Sequence, residues 1–299
     1  MSDEKTDPQT SDDVEELPQA DYQVAPNAPA TFDATIGAAF KLYFDAFGAL
    51  FWLAAVSAML VVMANNISGF SLGPLLKLGA FLATIYLYIL ALQRTDDIFR
   101  SNEPDDEFHV DGPLFFNVVG VQVGLLVVLT LVFFVGAGPG LAVGIIQGNA
   151  SVIMAGTIPG FFVALLVLPL LFFADLSVIF ERRDLTESFR RSYRLVASLE
   201  TWFYTFFILL MAAIVLAIPI IPSLIVLTAV DDLIGTIIVT AVIHTLAFPF
   251  IVALSYATFQ GLLARAEGKH RQRPQHQLMG PPPVDDVNDR GAESERTES

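Results

Sequence analysis

Along the chain, apolar residues gather into six long runs, at about 48–65, 73–93, 114–135, 156–178, 202–229 and 234–260, separated by shorter polar or mixed stretches. Runs of about 18 residues or more suit a helix that rises ~1.5 Å per residue through a hydrocarbon layer of ~30 Å. The pattern predicts an all-α, polytopic membrane protein with six transmembrane helices. In two intervening stretches the period becomes that of a one-sided helix. Leu185, Phe189, Tyr193, Val196 and Leu199 recur at three- and four-residue steps, while Glu187, Arg190, Arg191 and Arg194 fall mostly on the other side. This predicts an amphipathic helix lying in the membrane interface. Asp184 with Glu187 supplies an N-cap pattern close to a capping box, and Glu187 with Arg191 an i,i+4 ion pair. Thr35 to Phe47 repeats the design with Phe40, Tyr43, Phe44 and Phe47, so a second interfacial helix is expected ahead of the first span.

The two stretches form a weak internal repeat: interfacial helix, span, short outer turn, span. Trp52 stands 150 positions before Trp202, and the four spans between the copies keep their orientation the same. The acid-rich 94–113 region reads as a degenerate middle copy. Pro169 lies six residues before Asp175 in span four, and Pro249 six before Ser255 in span six.

Charge then sets the topology. Of sixteen Lys and Arg residues, all but Lys77 fall in the tails or in the loops on one side of the predicted spans. By the positive-inside rule that side is cytoplasmic, which places both termini inside a multi-pass protein of the cell membrane. Residues 1–33, rich in Asp, Glu and Pro, and 269–299, with Pro281 to Pro283 followed by acids, are expected to be disordered tails around a membrane domain at 34–268. The N-terminus has no basic and apolar signal pattern, so insertion is expected to use an internal span. A net charge of −15 with only four lysines is expected of the salt-in cytoplasm of a halophilic archaeon, the other reading being that the two acidic tails alone inflate the count. There is no cysteine, which removes disulfides and thiolate chemistry. Interleaving of bases with acids leaves little support for nucleic-acid binding.

The stretch Phe173 to Leu195, FADLSVIFERRDLTESFRRSYRL, has an apolar span with a Val/Ile-rich exit, Glu181, a short basic turn, then Ser188, Phe189, Ser192, Tyr193, Arg194 and Leu195 on a helix. It resembles a junction in six-span prokaryotic proteins similar to the membrane domain fused to some glycerophosphoryl diester phosphodiesterases, and to stand-alone relatives in bacteria and haloarchaea. The resemblance covers about 34–268 and implies the fold. It carries no expectation of hydrolysis, since the sequence departs from the fused members in showing no phosphodiesterase domain after the spans. Arg183 and Asp184 also stand where relatives tend to have a glycine.

Several residues are candidates for chemistry. His244, mid-span, is either a relay or substrate group or a neutral imidazole bonded to a neighbouring helix. Asp175 is expected to form an interfacial ion pair with Arg182 or Arg183 rather than serve as a relay. Gln122 and Asn117 are further intramembrane polar groups. Lys77 is expected to snorkel outward toward Asp231 or Asp232. Gly136, Gly140, Gly144 and Gly148, with Gly120–Gly124 and Gly156–Gly160, are expected to let helices pack closely, a ligand vestibule being the other reading. Gly138 and Pro139 are expected to break the third span, leaving 139–150 as a short interfacial or re-entrant helix. Asn149 in Asn-Ala-Ser is a glycosylation candidate, whereas Asn66 lies too near the membrane. GAGPG at 136–140 follows no strand and precedes no lysine, so it is no nucleotide loop.

No catalytic, cofactor or metal constellation is recognisable. The expected function is a non-enzymatic interaction or lipid-facing membrane module. Its expected partners are the bilayer, anionic headgroups bound by Arg182, Arg183, Arg190, Arg191 and Arg194, and a protein within the membrane. The alternative is a small transporter with its site at the repeat interface.

Overall fold

A computed structural model describes residues 22–66, 73–101, 110–229 and 233–272. The described residues form eight helices and no strand: α1 (Phe32–Asn66), α2 (Gly73–Ser101), α3 (Gly112–Gln147), α4 (Ala150–Leu171), α5 (Ala174–Glu181), α6 (Leu185–Val196), α7 (Leu199–Ala229) and α8 (Leu233–Gln272). Five stretches are long and apolar enough to cross a membrane: Phe32–Ala64, Gly73–Arg100, Gly112–Gln147, Ala150–Glu181 and Ile237–Gly268. A sixth is reached if α6 and Leu199–Val215, bent by 99°, count as one unit. Helix is thus the sole regular structure among the described residues, with five or six helices long and apolar enough to span a bilayer. Phe44, Trp52, Val135, Ile146 and Met154 are exposed along these helices, as surfaces solvated by lipid rather than water allow.

The helices are held by two kinds of contact. Ala39, Leu42, Ala46, Leu50, Ala54 and Ala58 form a buried stripe on α1, the helix that packs along α8, and the alanines let the backbones approach. α3 and α4 form a tighter hairpin. Gly148 ends α3 in the left-handed conformation at φ 61°, and Asn149 caps α4 by accepting from the Ser151 and Val152 amides. Gly136 and Gly140 then face Gly160 and Gly156 so closely that a Cβ on Gly140 would lie 2.4 Å from the Gly156 Cα. The close-packing reading holds for these glycines. Gly120 and Gly124 instead receive the side chains of Leu185 and Phe189 from α6.

Two expected breaks are absent. α3 runs through Gly138 and Pro139 to Gln147, so 139–150 is no separate helix but the end of α3 and the start of α4. Pro139 forfeits one backbone bond, whereas Gly136 and Gly144 lock the helix against α4 on both sides of it. Thr35 to Phe47 likewise forms the first turns of α1, whose 35 residues run for about 52 Å.

A third difference lies at the end of the bundle where α1 begins and α8 finishes. Composition assigns residues 22–31 to the tail, yet they form a strap across α2 and α8. The Tyr22 hydroxyl donates to Asp96 (2.8 Å), as does that of Tyr256, and the Ala25 amide donates to Gln260 Oε1 (3.1 Å). Arg100 covers the Tyr22 ring at 4.4 Å and donates to the Gln23 carbonyl, while Arg265 donates to that of Ala30. A Cβ on Gly261 would lie 2.8 Å from the Pro29 oxygen, so the strap seats only on a glycine. Burial, then the nearby Asp96 carboxylate, holds the Tyr22 phenol above its ordinary range. Beside the strap, α5 is buried throughout and α8 is buried from Val252 to Leu263. The densest core therefore sits at this end.

Candidate functional site

The site begins with a break in a span. Pro169 lies near the end of α4, and after Leu171 the chain turns through Phe172 and Phe173 before α5 starts. The turn frees the Leu170 carbonyl and the Phe173 amide from helical bonding. Ser192, on α6, serves both: its hydroxyl donates to Leu170 O (2.9 Å) and accepts from Phe173 N–H (3.2 Å). A side chain that replaces lost backbone partners is what makes such a break tolerable inside an apolar protein.

The break sets Asp175 in the first turn of α5, where the helix dipole favours a carboxylate. Asp175 is only 6% exposed. Its Oδ2 accepts from the Tyr88 hydroxyl on α2 (2.9 Å) and from Gln122 Nε2 on α3 (3.0 Å), while Oδ1 accepts from the Leu176 amide (2.9 Å). The carboxylate lines a cavity of about 320 Å³ between α2, α3, α5 and α8, together with Phe81, Tyr88, Gln122, Phe172, Phe248 and Ser255. Asp175 and Ser255, the residues six places after Pro169 and Pro249, thus meet at one cavity. Phe172, Ile251 and Ser255 also line a second cavity of about 460 Å³ between α4, α7 and α8, with a wall almost wholly apolar.

The expected ion pair of Asp175 does not form. Arg182 donates to Asp111 (3.1 Å) and Arg183 to Glu181 (2.6 Å) and Glu187, because Asp175 is drawn one helix length away from the basic turn by its bonds to Tyr88 and Gln122. Nor does Glu187 pair with Arg191. Arg191 grips Glu181 instead, through Nε (3.1 Å) and Nη2 (2.8 Å), so Glu181, 6% exposed, is held by two guanidinium groups. The expected cap is present: Asp184 accepts from the Glu187 amide (2.7 Å). Arg190 and Arg194 are exposed and have no acidic partner among the described residues. α6 buries Ser188, Ser192, Leu195 and Val196 and lays Phe189 on Gly124, so much of its apolar face meets protein.

The other candidates lie apart. His244 Nε2 and the Ser57 hydroxyl of α1 are 3.0 Å apart; His244 does not line the Asp175 cavity, although its ring lies 6.0 Å from that of Phe248, which does. Asn117 lines a separate cleft of about 210 Å³ with Asp111, Arg182 and Arg183. Arg182 closes α5 at φ 52°, the sole non-glycine residue with positive φ among the described residues. Asn149 has its amide oxygen turned into α4 as a cap. Lys77 is exposed, while Asp231, Asp232 and the loop following Asn66 lie outside the described residues. Of the four intramembrane polar residues, Asp175 and Gln122 come together, whereas His244 and Asn117 do not join them. Tyr88, which completes the site, carries no local signal, being an apolar-run tyrosine like Tyr86.

No group of acids and histidines able to hold a metal is present among the described residues. No protein-family model, characterised protein or solved structure matches the chain.

Proposed function

We propose that the chain is a non-enzymatic, lipid-facing module of the cell membrane, of the six-span type resembled by Phe173 to Leu195, with both termini cytoplasmic and α6 engaging anionic headgroups. The observation that carries this reading is the division of labour among the α6 arginines. Arg191 is consumed by Glu181, whereas Arg190 and Arg194 project unpaired from a helix that turns 99° away from α7. Beside them Leu185, Tyr193 and Leu199 are exposed. Apolar side chains flanked by uncommitted guanidinium groups suit a surface of acyl chains and anionic headgroups, at about 1 kcal/mol per basic residue.

The test compares thermal unfolding of the purified full chain in phosphatidylglycerol and in phosphatidylcholine. Phosphatidylglycerol should raise the midpoint, and the double substitution Arg190→Gln, Arg194→Gln should remove most of that increment. An increment that survives the double substitution removes the headgroup role.

One observation favours the second reading, a small transporter: an intramembrane carboxylate faces a cavity. That reading requires a flux in reconstituted vesicles that Asp175→Asn abolishes. His244, whose partner is a serine hydroxyl, is assigned a structural role in either case, so His244→Asn should leave folding and any flux intact.

A further inference from the structure

We propose that the cavity at Asp175 binds a lipophilic organic monocation, an ammonium with a hydrocarbon body, entering sideways from the bilayer. The proposal goes beyond the headgroup role of α6 and does not depend on it. A carboxylate buried among apolar groups is expensive unless its charge is compensated. Yet no Arg, Lys or His lies within ion-pair distance of Asp175 among the described residues. Its side-chain partners, Tyr88 and Gln122, are neutral donors, and both approach Oδ2. Oδ1 accepts from the adjacent Leu176 amide.

The surroundings select the shape of the missing cation. Phe81, Tyr88, Phe172 and Phe248 line the space, and aromatic faces attract a diffuse positive charge. A bare inorganic ion would need a shell of oxygens, whereas this wall is mostly hydrocarbon. At about 320 Å³ the cavity also holds far more than an ion, since a water molecule takes up only ~30 Å³ of liquid. The entrance follows from exposure: Phe81 on α2 and Ile251 on α8 line the cavity and are also exposed on the lipid-facing surface. A ligand dissolved in the bilayer therefore reaches Asp175 without crossing the packed end of the bundle.

The experiment uses the full chain in phospholipid nanodiscs, titrated calorimetrically with phenyltrimethylammonium, with tert-butylbenzene as its uncharged isostere. Saturable binding of the cation is expected, and the isostere should not compete. Asp175→Asn, which keeps the size of the side chain, should weaken binding at least about tenfold. Thr84 also lines the cavity, and Thr84→Phe, which fills it and leaves Asp175 in place, should abolish binding; this variant decides the matter if Asp175→Asn does not fold. Absence of saturable binding to the unsubstituted chain, equal affinity in either variant, or competition by tert-butylbenzene overturns the proposal. Arg190→Gln with Arg194→Gln should leave this affinity unchanged, which separates the site from the headgroup role.

Discussion

α1 and the α6–α7 pair carry the same sequence design, yet one is a single continuous helix and the other turns by 99°. The difference falls where Gly48 in the first copy stands 150 positions before Ser198 in the second. At Gly48 there is no side chain to cap a new helix, and the buried stripe from Ala39 to Ala58 continues across it against α8. At Ser198 a new helix starts. Its hydroxyl accepts from the Thr201 amide (3.3 Å), its carbonyl accepts from the Trp202 amide (2.9 Å), and α6 ends just before it at Val196. The segment that turns aside then finds partners: Phe189 on Gly124, Ser192 on the α4–α5 break and Arg191 on Glu181. A one-sided apolar pattern thus establishes that a helix forms, while its caps and partners decide whether it continues a span or crosses its end.

The largest break in this comparison should come from Glu181. Replacing it by Gln leaves Arg183 and Arg191 without their shared carboxylate and should cost about 3 kcal/mol, the low end for a buried pair because both arginines keep some access to solvent. Chemical unfolding in mild detergent measures it. A loss under about 1 kcal/mol would show that α6 is held by Ser192 and its apolar contacts rather than by the Glu181 pairs. Ser192→Ala should follow at about 2 kcal/mol, because it strands the Leu170 carbonyl and the Phe173 amide together in a buried place. The same substitution should move the cavity wall at Phe172, so its effect on ligand binding tests whether the break and the site are coupled.

These two sites also show what a sequence makes legible. Local signals worked: the apolar runs, the Asp184 cap and the Gly-xxx-Gly spacing each depend on residues a few places apart. Asp175 was recognisable as an unusual residue, but its partners Tyr88 and Gln122 lie 87 and 53 positions away, beyond any periodic pattern. The basic turn nearby was the obvious partner, and it was already committed to Asp111, Glu181 and Glu187. Pro139 signals a break by the cost it carries in a water-exposed helix, whereas here the glycines around it bind the helix to α4. The strap did leave a mark. No acid occurs between Asp21 and Asp33, and Tyr22 and Val24 stand in that gap.

The strap also sharpens the comparison, since it fixes the start of α1 against α2 and α8. The folded state holds the Tyr22 phenol protonated above its ordinary value of about 10, through burial first and Asp96 second. Below pH ~10 the phenol is protonated folded or unfolded, and its contribution is fully present. As pH rises past ~10 the unfolded chain ionises first, so stability should fall by up to about 1.4 kcal/mol per pH unit. Hydrogen exchange of the 22–31 amides, followed from pH 8 to 11 and corrected for intrinsic exchange, should show the onset, and Tyr22→Phe should reduce it, the Tyr256 phenol on the same Asp96 carboxylate remaining. An onset well below pH 9 would assign the release to another group.

The smallest effects test the origin of the bend itself. Ser198→Ala should cost about 1 kcal/mol, the usual worth of an N-cap, and should not straighten α6 onto α7, because Glu181 and Ser192 still hold α6. The reciprocal change, Gly48→Ser, offers α1 the cap that α7 uses. A Cβ at Gly48 meets nothing within 4 Å, so the variant should fold with a stability change of a few tenths of a kcal/mol. The chain has no cysteine, so a pair of spin labels at Lys41 and Met59, both exposed, reports the geometry directly. A continuous helix places the two Cα atoms ~27 Å apart, whereas a turn like that of 99° between α6 and α7 brings them to ~18 Å. The long distance is expected in Gly48→Ser, since the stripe against α8 on both sides of residue 48 resists the turn. The short distance would mean that a single cap residue decides the bend, with the tertiary partners of α6 following from it.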